Sequence, residues 1–382
     1  MGKQARIRAS RVDGRRIGGG LVVGALASGA LAFGAIGSAG EANATCVSAG
    51  GWFSIGSGCT TTKPGDFAIA IGQDATATAT GGGNTAWAIG DAATATAVGV
   101  HNTAIGKGLG ATAEAIGGHN NTAIAIGDAP TVDVDPAAKA LIGRGTYARA
   151  GSLEVKALDA STPVQSNNNT AIAIGTSSRA FAVDGSHNYA AVAGDRSLAA
   201  AYGGNNNRAV VHGDNSEATA GGRRVVVDLP QLDAVRVAAP ADGGSNNNNV
   251  AVVHGNNSQA SAIQGNRNTA IVNGDGSTAA AGNGNGNRAI VHGDNSQAGA
   301  GVIVRRPDEY LRVAALAVKR TSNNNLAVVR GNNSAAEAID GDSNRARVFG
   351  DRSSALARGG NQSATAHGDD VHKTSTTGDE VK

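Results

Sequence analysis

The chain has 382 residues, 57 of them Gly, with 3% aromatic and 16% charged residues and a formal net charge of +2. So few large apolar side chains cannot build a thick hydrophobic core, and so few aromatics, with no basic stripe along the sequence, exclude an ordinary nucleic-acid binder. Low complexity invites a reading of disorder, but Asn, Ala, Gly and Ser recur at a fixed phase, which argues against it, because a disordered chain has no reason to keep a register.

Residues 1–44 read as an export signal. Lys3, Arg6, Arg8, Arg11, Arg15 and Arg16 form a basic start, Ile17 to Ile36 a Gly/Ala-rich apolar run, and Ala42-Asn43-Ala44 a cleavage site before Thr45. The run is about long enough to span a bilayer, so an uncleaved anchor is the competing reading. Weak hydropathy and the cleavage site favour removal. The leader holds six of the 32 basic and two of the 30 acidic residues, which leaves the rest at 26 against 28, a net charge of −2. The expected product is secreted or surface-associated, with no transmembrane segment after cleavage. Residues 45–66 then form a cap. Cys46 and Cys59 are expected to pair as a disulfide in an exported chain and to staple the open end of the repeat array that begins at residue 67. Their spacing is not C-x-x-C and no His is near, which disfavours a metal or redox pair.

Residues 67–368 are built on one repeat, shown best by NRAIVHGDNSQAGAG from Asn287 to Gly301. Taking the corner glycine as phase zero, full copies fall at Gly90, Gly127, Gly175, Gly194, Gly213, Gly255, Gly274, Gly293, Gly331 and Gly350, with degenerate copies at Gly72, Gly106, Gly143 and Gly368. Runs such as 255–274–293 step by nineteen. Six residues before the glycine stands Asn84, Asn121, Asn169, Asn188, Asn207, Asn249, Asn268, Asn287, Asn325 or Asn344. Self-similarity over this length means stacked units that bury their apolar faces on one another. Each unit offers two short extended runs and two Gly/Asn/Asp corners. The fold class is therefore all-β: a parallel β-solenoid, or β-roll, of roughly fourteen coils spaced about 4.8 Å apart.

The Asn row is read as an amide hydrogen-bond ladder at a corner that sheet bonds miss. The Asp after the glycine, as in Asp214 and Asp294, is read as a turn residue; the G-G-x-G-x-D pattern of calcium-binding rolls is absent. Alternation places Ala at minus four and Ala or Val at minus two on one face, inside the coil. The residue at minus three then points out: Trp87, Ile124, Ile172, Val210, Val252, Ile271, Ile290 or Val328. An apolar ridge outside a thin coil needs a cover, so self-association along it is expected. The opposite assignment of inside and outside is the competing reading.

Insertions interrupt the register at 129–140, 152–166, 223–245 and 302–322, and the last three share one phase, before the Asn corner. They are expected to project from one edge, where solenoids carry binding surface. Paired runs around Pro230 and Pro307 suit hairpins. Residues 369–382 are a polar tail.

The copies NTAWAIGDAATATAVG (Asn84–Gly99), NTAIAIGDA (Asn121–Ala129) and NTAIAIGTSSRAFA (Asn169–Ala182) resemble the head repeats of trimeric autotransporter adhesins of the YadA type. That resemblance implies a left-handed parallel β-roll, a homotrimer packed side by side through apolar residues, and adhesion to a host or matrix protein or glycan. The family's heptad stalk and membrane-anchor strands have no counterpart here, and its unit is usually shorter than nineteen residues.

No motif for catalysis, a cofactor or a metal is found: there is no nucleophile elbow, no H-E-x-x-H and no phosphate loop in context. His212, His254 and His292 all precede a corner glycine; they would gather round the axis of a trimer, and otherwise occupy a tolerant surface position. The expected function is structural or adhesive, without catalysis. The alternatives are a glycan lyase or hydrolase on a solenoid, or an ice-binding solenoid, for which Thr76, Thr78, Thr80, Thr94 and Thr96 supply two coils of a Thr array.

Overall fold

A computed structural model describes residues 45–128, 145–152, 166–222, 246–282, 284–301 and 322–376. The leader, most of the insertions and the end of the tail lie outside the described residues, including both expected hairpins. The described residues fall in one compact unit. It is a parallel β-solenoid of about 13 coils with a 19-residue repeat. The strand before each corner glycine joins a 15-stranded first sheet, and the strand after it a 14-stranded second sheet.

Register follows the repeat. Thr269 pairs with Arg288, Ala270 with Ala289 and Ile271 with Ile290 in the first sheet. Thr278 pairs with Gln297 and Ala279 with Ala298 in the second. Period-2 alternation sends Ala270, Val272, Ala279 and Ala281 inward, and all four are fully buried. The core is thus a double column of Ala with a Val at minus two from Val192 onward, and the assignment of inside and outside read from sequence is the one the structure has. The corner glycines are required twice over. Gly274 has φ of 151°, and a Cβ there would collide with the carbonyl of Gly293 in the next coil.

One expected corner moves. Gly106 is not a corner: it pairs with Ala88 and Ala125 at the inward minus-two position, and Gly108, with φ of 122°, makes the turn. The early coils therefore step by eighteen, from Gly72 to Gly90 to Gly108. The degenerate copy expected at Gly143 lies outside the described residues, and in the first sheet Thr122–Ile126 pairs directly with Thr170–Ile174. The chain leaves after Asp128 and returns at Gly145 within a single turn.

The N-terminal end is capped by reversed strands. β1 (Thr45–Ala49) runs antiparallel to β2 (Phe53–Ile55) on one side and to β4 (Phe67–Ile71), the first coil, on the other. β3 (Cys59–Thr61) opens the second sheet. Cys46 on β1 and Cys59 on β3 form a disulfide with Cα atoms 5.6 Å apart, tying the two sheets together across the interior. A short antiparallel hairpin offers a poor template for edge growth, and the bridge holds it in place.

Two changes test this packing. Ala289→Leu overfills a column with no spare volume and is expected to cost about 1–3 kcal/mol in urea melts. Cys46→Ser with Cys59→Ser frees a loop of sequence separation 13 and is expected to cost about 3 kcal/mol, read as a lower thermal midpoint in non-reducing buffer.

Candidate functional site

The corners decide where every outward side chain stands. From Gly194 to Ser353 the corners follow a four-residue unit: a turn residue, usually Gly, then an outer Asx, a residue commonly with φ near +55°, and a buried Asn or Ser. Gly213-Asp214-Asn215-Ser216 and Gly204-Asn205-Asn206-Asn207 are the two versions, with Asn215 at φ 52° and Asn206 at φ 58°. The triple-Asn clusters are explained by this division of labour. Asn323, half-buried, accepts the Asn285 N–H at 2.8 Å, Asn324 takes φ of 55°, and Asn325 is buried.

The buried row is continuous. All ten predicted residues, Asn84, Asn121, Asn169, Asn188, Asn207, Asn249, Asn268, Asn287, Asn325 and Asn344, are at most 1% exposed. The bonding differs from a simple amide ladder. From Asn84 to Asn325 each Oδ1 accepts the backbone N–H of the Asn one coil on, as Asn268 does from Asn287 at 3.0 Å, and Asn344 accepts from Gln362. Each Nδ2 is then free for carbonyls, and Asn268 donates to Gly284 at 2.9 Å and to Ile263 at 3.1 Å. The side chain thus satisfies backbone groups at a bend where no strand can reach them.

Sequence reading missed three parts of this frame. Asn102 is a rung, donating its N–H to Asn84 at 2.9 Å; moving the corner from Gly106 to Gly108 would have placed it at minus six. Asp66 is the first rung, six before Gly72. Its Oδ1 accepts the Gly82 and Asn84 N–H groups and Asn84 Nδ2, each at 3.0 Å, and its Oδ2 accepts the Lys63 N–H at 2.9 Å. With the Thr62 hydroxyl at 3.4 Å from Oδ2, five donors converge, so an acceptor-only carboxylate fits where an amide would not. Burial pushes its pKa up, but the bonds from Asn84, Lys63 and Gly82 outweigh it and hold it below the ordinary value. The third part is a serine row at the other corner: Ser277 Oγ accepts the Ser296 N–H at 3.0 Å and donates to the Gly293 carbonyl at 2.7 Å.

On this frame the first sheet presents three outward files, at minus five, minus three and minus one. The minus-three file contains the predicted ridge. Trp87, Ile124, Ile172, Val252, Ile271, Ile290 and Val328 are half-buried by their neighbours along the file, and Val210 is only 6% exposed. The Trp87 indole N–H is buried without an acceptor among the described residues. Ile69 and Ile105 extend the file to the cap. A second file, largely isoleucine toward the cap, runs beside it at minus one: Ile71, Ile126 and Ile174 are 40%, 37% and 44% exposed, with Lys107 between Ile89 and Ile126.

From Arg208 onward the same face turns basic. No Asp or Glu occupies an outward position of the first sheet among the described residues. His212 stacks on His254 with centroids 5.0 Å apart. Asn273 bridges His254 and His292, at 3.1 Å to each Nδ1. The rings lie along a file rather than round a point, and no group of three His, Cys, Asp or Glu positioned for a metal ion is present among the described residues. The basic side chains are sparse along the sequence, and stacking brings them onto one surface.

The second sheet differs. Phe181, Val183, Leu198, Ala200 and Tyr202 form a buried cluster on its outer side, with Tyr147 packed against it. Tyr147 donates to Glu114 at 2.5 Å, and Arg149 pairs with the same carboxylate at 3.1 Å. Burial first, and then the Glu114 charge, push the Tyr147 pKa up to about 12. Glu217 is buried and accepts bonds from Thr219 at 3.0 Å and Gln259 at 3.3 Å; burial pushes its pKa up. Its neighbour Tyr202 is pushed above its ordinary range by burial and by that carboxylate. Toward the cap, Thr60, Thr78 and Thr96 stack in one file, and Thr76, Thr94 and Thr112 in another. The first file stops at Glu114 and the second at Tyr147.

The two Asn rows give a direct comparison. Asn268→Ala strands buried backbone groups and is expected to cost about 3 kcal/mol, whereas Asn285→Ala, at an exposed position, leaves its groups to water and costs under about 1 kcal/mol; urea melts of both check this. For Asp66 the folded pKa lies below the unfolded one. Its contribution is therefore full above the unfolded value and lost as pH falls through the folded one. The thermal midpoint should drop below about pH 4, and Asp66→Asn should lower stability at pH 7 while flattening that acid slope. Comparison of the chain with protein-family models, curated proteins and solved structures finds no match.

Proposed function

We propose that the chain is an exported, non-catalytic β-solenoid that serves as a structural or adhesive protein at the cell surface or outside it, self-associating side by side through the outer face of its first sheet. The single observation that carries this is the apolar file from Ile69 to Val328, broken in the described residues only by Ala191, on the outside of a coil too thin to cover it. Eleven coils at about 4.8 Å make the file about 50 Å long. The minus-one isoleucines Ile71, Ile126 and Ile174 widen the strip toward the cap.

The homotrimer is taken from the resemblance to YadA-type heads, in which three rolls meet through apolar residues; the ridge supplies the matching surface. A non-catalytic reading is supported by where the described acids sit. Most stand in the corner rows, where Asp214, Asp275 and Asp294 each accept a backbone N–H from the preceding coil at 2.7–2.8 Å. An adhesive role leaves a host or matrix protein or a glycan as the partner, met by the parts of the surface that self-association does not cover.

Sedimentation of the protein from Thr45 to Lys382 tests the reading. A trimer is expected at micromolar concentration, and Ile124→Arg with Ile172→Arg, which places charges in the seam, should give a folded monomer. A clean monomer of the unaltered chain would overturn it.

A further inference from the structure

The apolar file ends at Val328. In the next coil its place is taken by Arg347, with Arg345 two residues earlier on the same face. Arg330, in the minus-one file, lies over the Phe349 ring at 5.7 Å, and His367 stacks on the same ring with centroids 4.8 Å apart. Neighbouring outward side chains on one strand stand about 7 Å apart, and diagonal ones on adjacent strands about 7–8 Å. Three guanidiniums and an imidazole are therefore held within one small area. Arg330, Arg345, Arg347 and His367 are all exposed. None of them is in an ion pair among the described residues, whereas the nearby Arg352 and Arg358 pair with Asp370 and Asp340.

Like charges gathered without a counterion repel, and a trimer seam continued through Arg347 would bring three copies of that charge together. The coils past Val328 are thus poorly suited to self-association and well suited to an anion. We propose that this end of the first sheet, built on Arg330, Arg345, Arg347 and His367, binds an acidic polysaccharide, its carboxylate or sulfate groups bridging the guanidiniums while Ser363 and Thr365 offer hydroxyls to the sugar.

The flanks decide for a single polysaccharide strand over nucleic acid. Acidic rows border the patch on both sides, with Asp351 and Asp369 at one corner and Asp342 at the other. The basic strip between them is the width of one five-residue strand, about 13–17 Å. A duplex, whose major groove alone is about 12 Å wide, would lay its phosphates over those carboxylates. Bases of a single strand would need free aromatic faces, and both faces of Phe349 are taken by Arg330 and His367.

This assignment deepens the adhesive reading by naming a ligand class, and it does not depend on the oligomeric state. The test uses the protein from Thr45 to Lys382 and titrates it with chondroitin sulfate, with neutral dextran and duplex and single-stranded DNA as comparisons, at low and at 0.5 M salt. Binding of chondroitin sulfate but not dextran, lost at high salt, is expected. Arg345→Gln with Arg347→Gln should weaken it at least tenfold with an unchanged thermal midpoint, and Arg352→Gln should leave it unaltered. Absence of binding, equal binding by the double variant, or tighter binding of DNA would overturn the proposal. Sedimentation of the same samples reports separately on the seam, so failure of one reading is distinguishable from failure of the other.

Discussion

Everything in this solenoid depends on satisfying backbone groups where the chain bends. Within a strand, the coil above and the coil below take up every N–H and C=O. At a corner the peptides turn away from that pattern, and a buried unpaired group costs about 1–3 kcal/mol. With Ala as its main core residue, the interior returns little hydrophobic free energy per coil, so losses of that size at each bend would not be tolerated. The Asn row removes them. One side chain accepts from the next coil and donates to carbonyls around it, and because its partner is the same residue in a neighbouring turn, the solution repeats without adjustment. The serine row does the same at the opposite bend with one hydroxyl.

The small core and the surface rows are linked through this frame. Only Ala, Val and Gly fit a lumen so narrow, so the large apolar residues of the repeat have nowhere to go but outward. Stacking then converts a weak per-coil preference into continuous files. A lone Ile at a strand's outer position means little; a file of them spaced at coil distance is a surface with one character along tens of ångströms. The switch from Ile to His and Arg along the same files divides one face into an apolar stretch and a basic end without any change in the backbone that carries them.

Much of this was legible in the sequence because the repeat is strict. Fixed positions for Asn, Ala and Gly gave the coil, the inward columns and the outward ridge, and Cys46 and Cys59 were close enough to pair across the cap. What was lost has identifiable causes. In the early coils the step shortens to eighteen, and Gly106, standing where Ala is usual, drew the corner two residues too early; Asn102 and Ile105 dropped out with it. Asp66 was invisible because it replaces the residue that defines its row. The basic end was missed for a different reason: Arg330, Arg345, Arg347 and His367 are spread over 38 positions of sequence, and only lateral stacking makes them neighbours.

The breaks in the repeat leave no trace in the pairing. Arg208 meets Val250 and Arg288 meets Leu326 in the same register as coils joined directly. Each departure point and return point is therefore separated by the distance that two consecutive rungs have anyway. A detour of any length can be hung there, since doubling it adds only about 0.6 kcal/mol of closure entropy and no strand need shift. Such an architecture lets the ornament evolve at a different pace from the scaffold: segments can be lengthened, shortened or exchanged at these doorways while the column behind them stays the same.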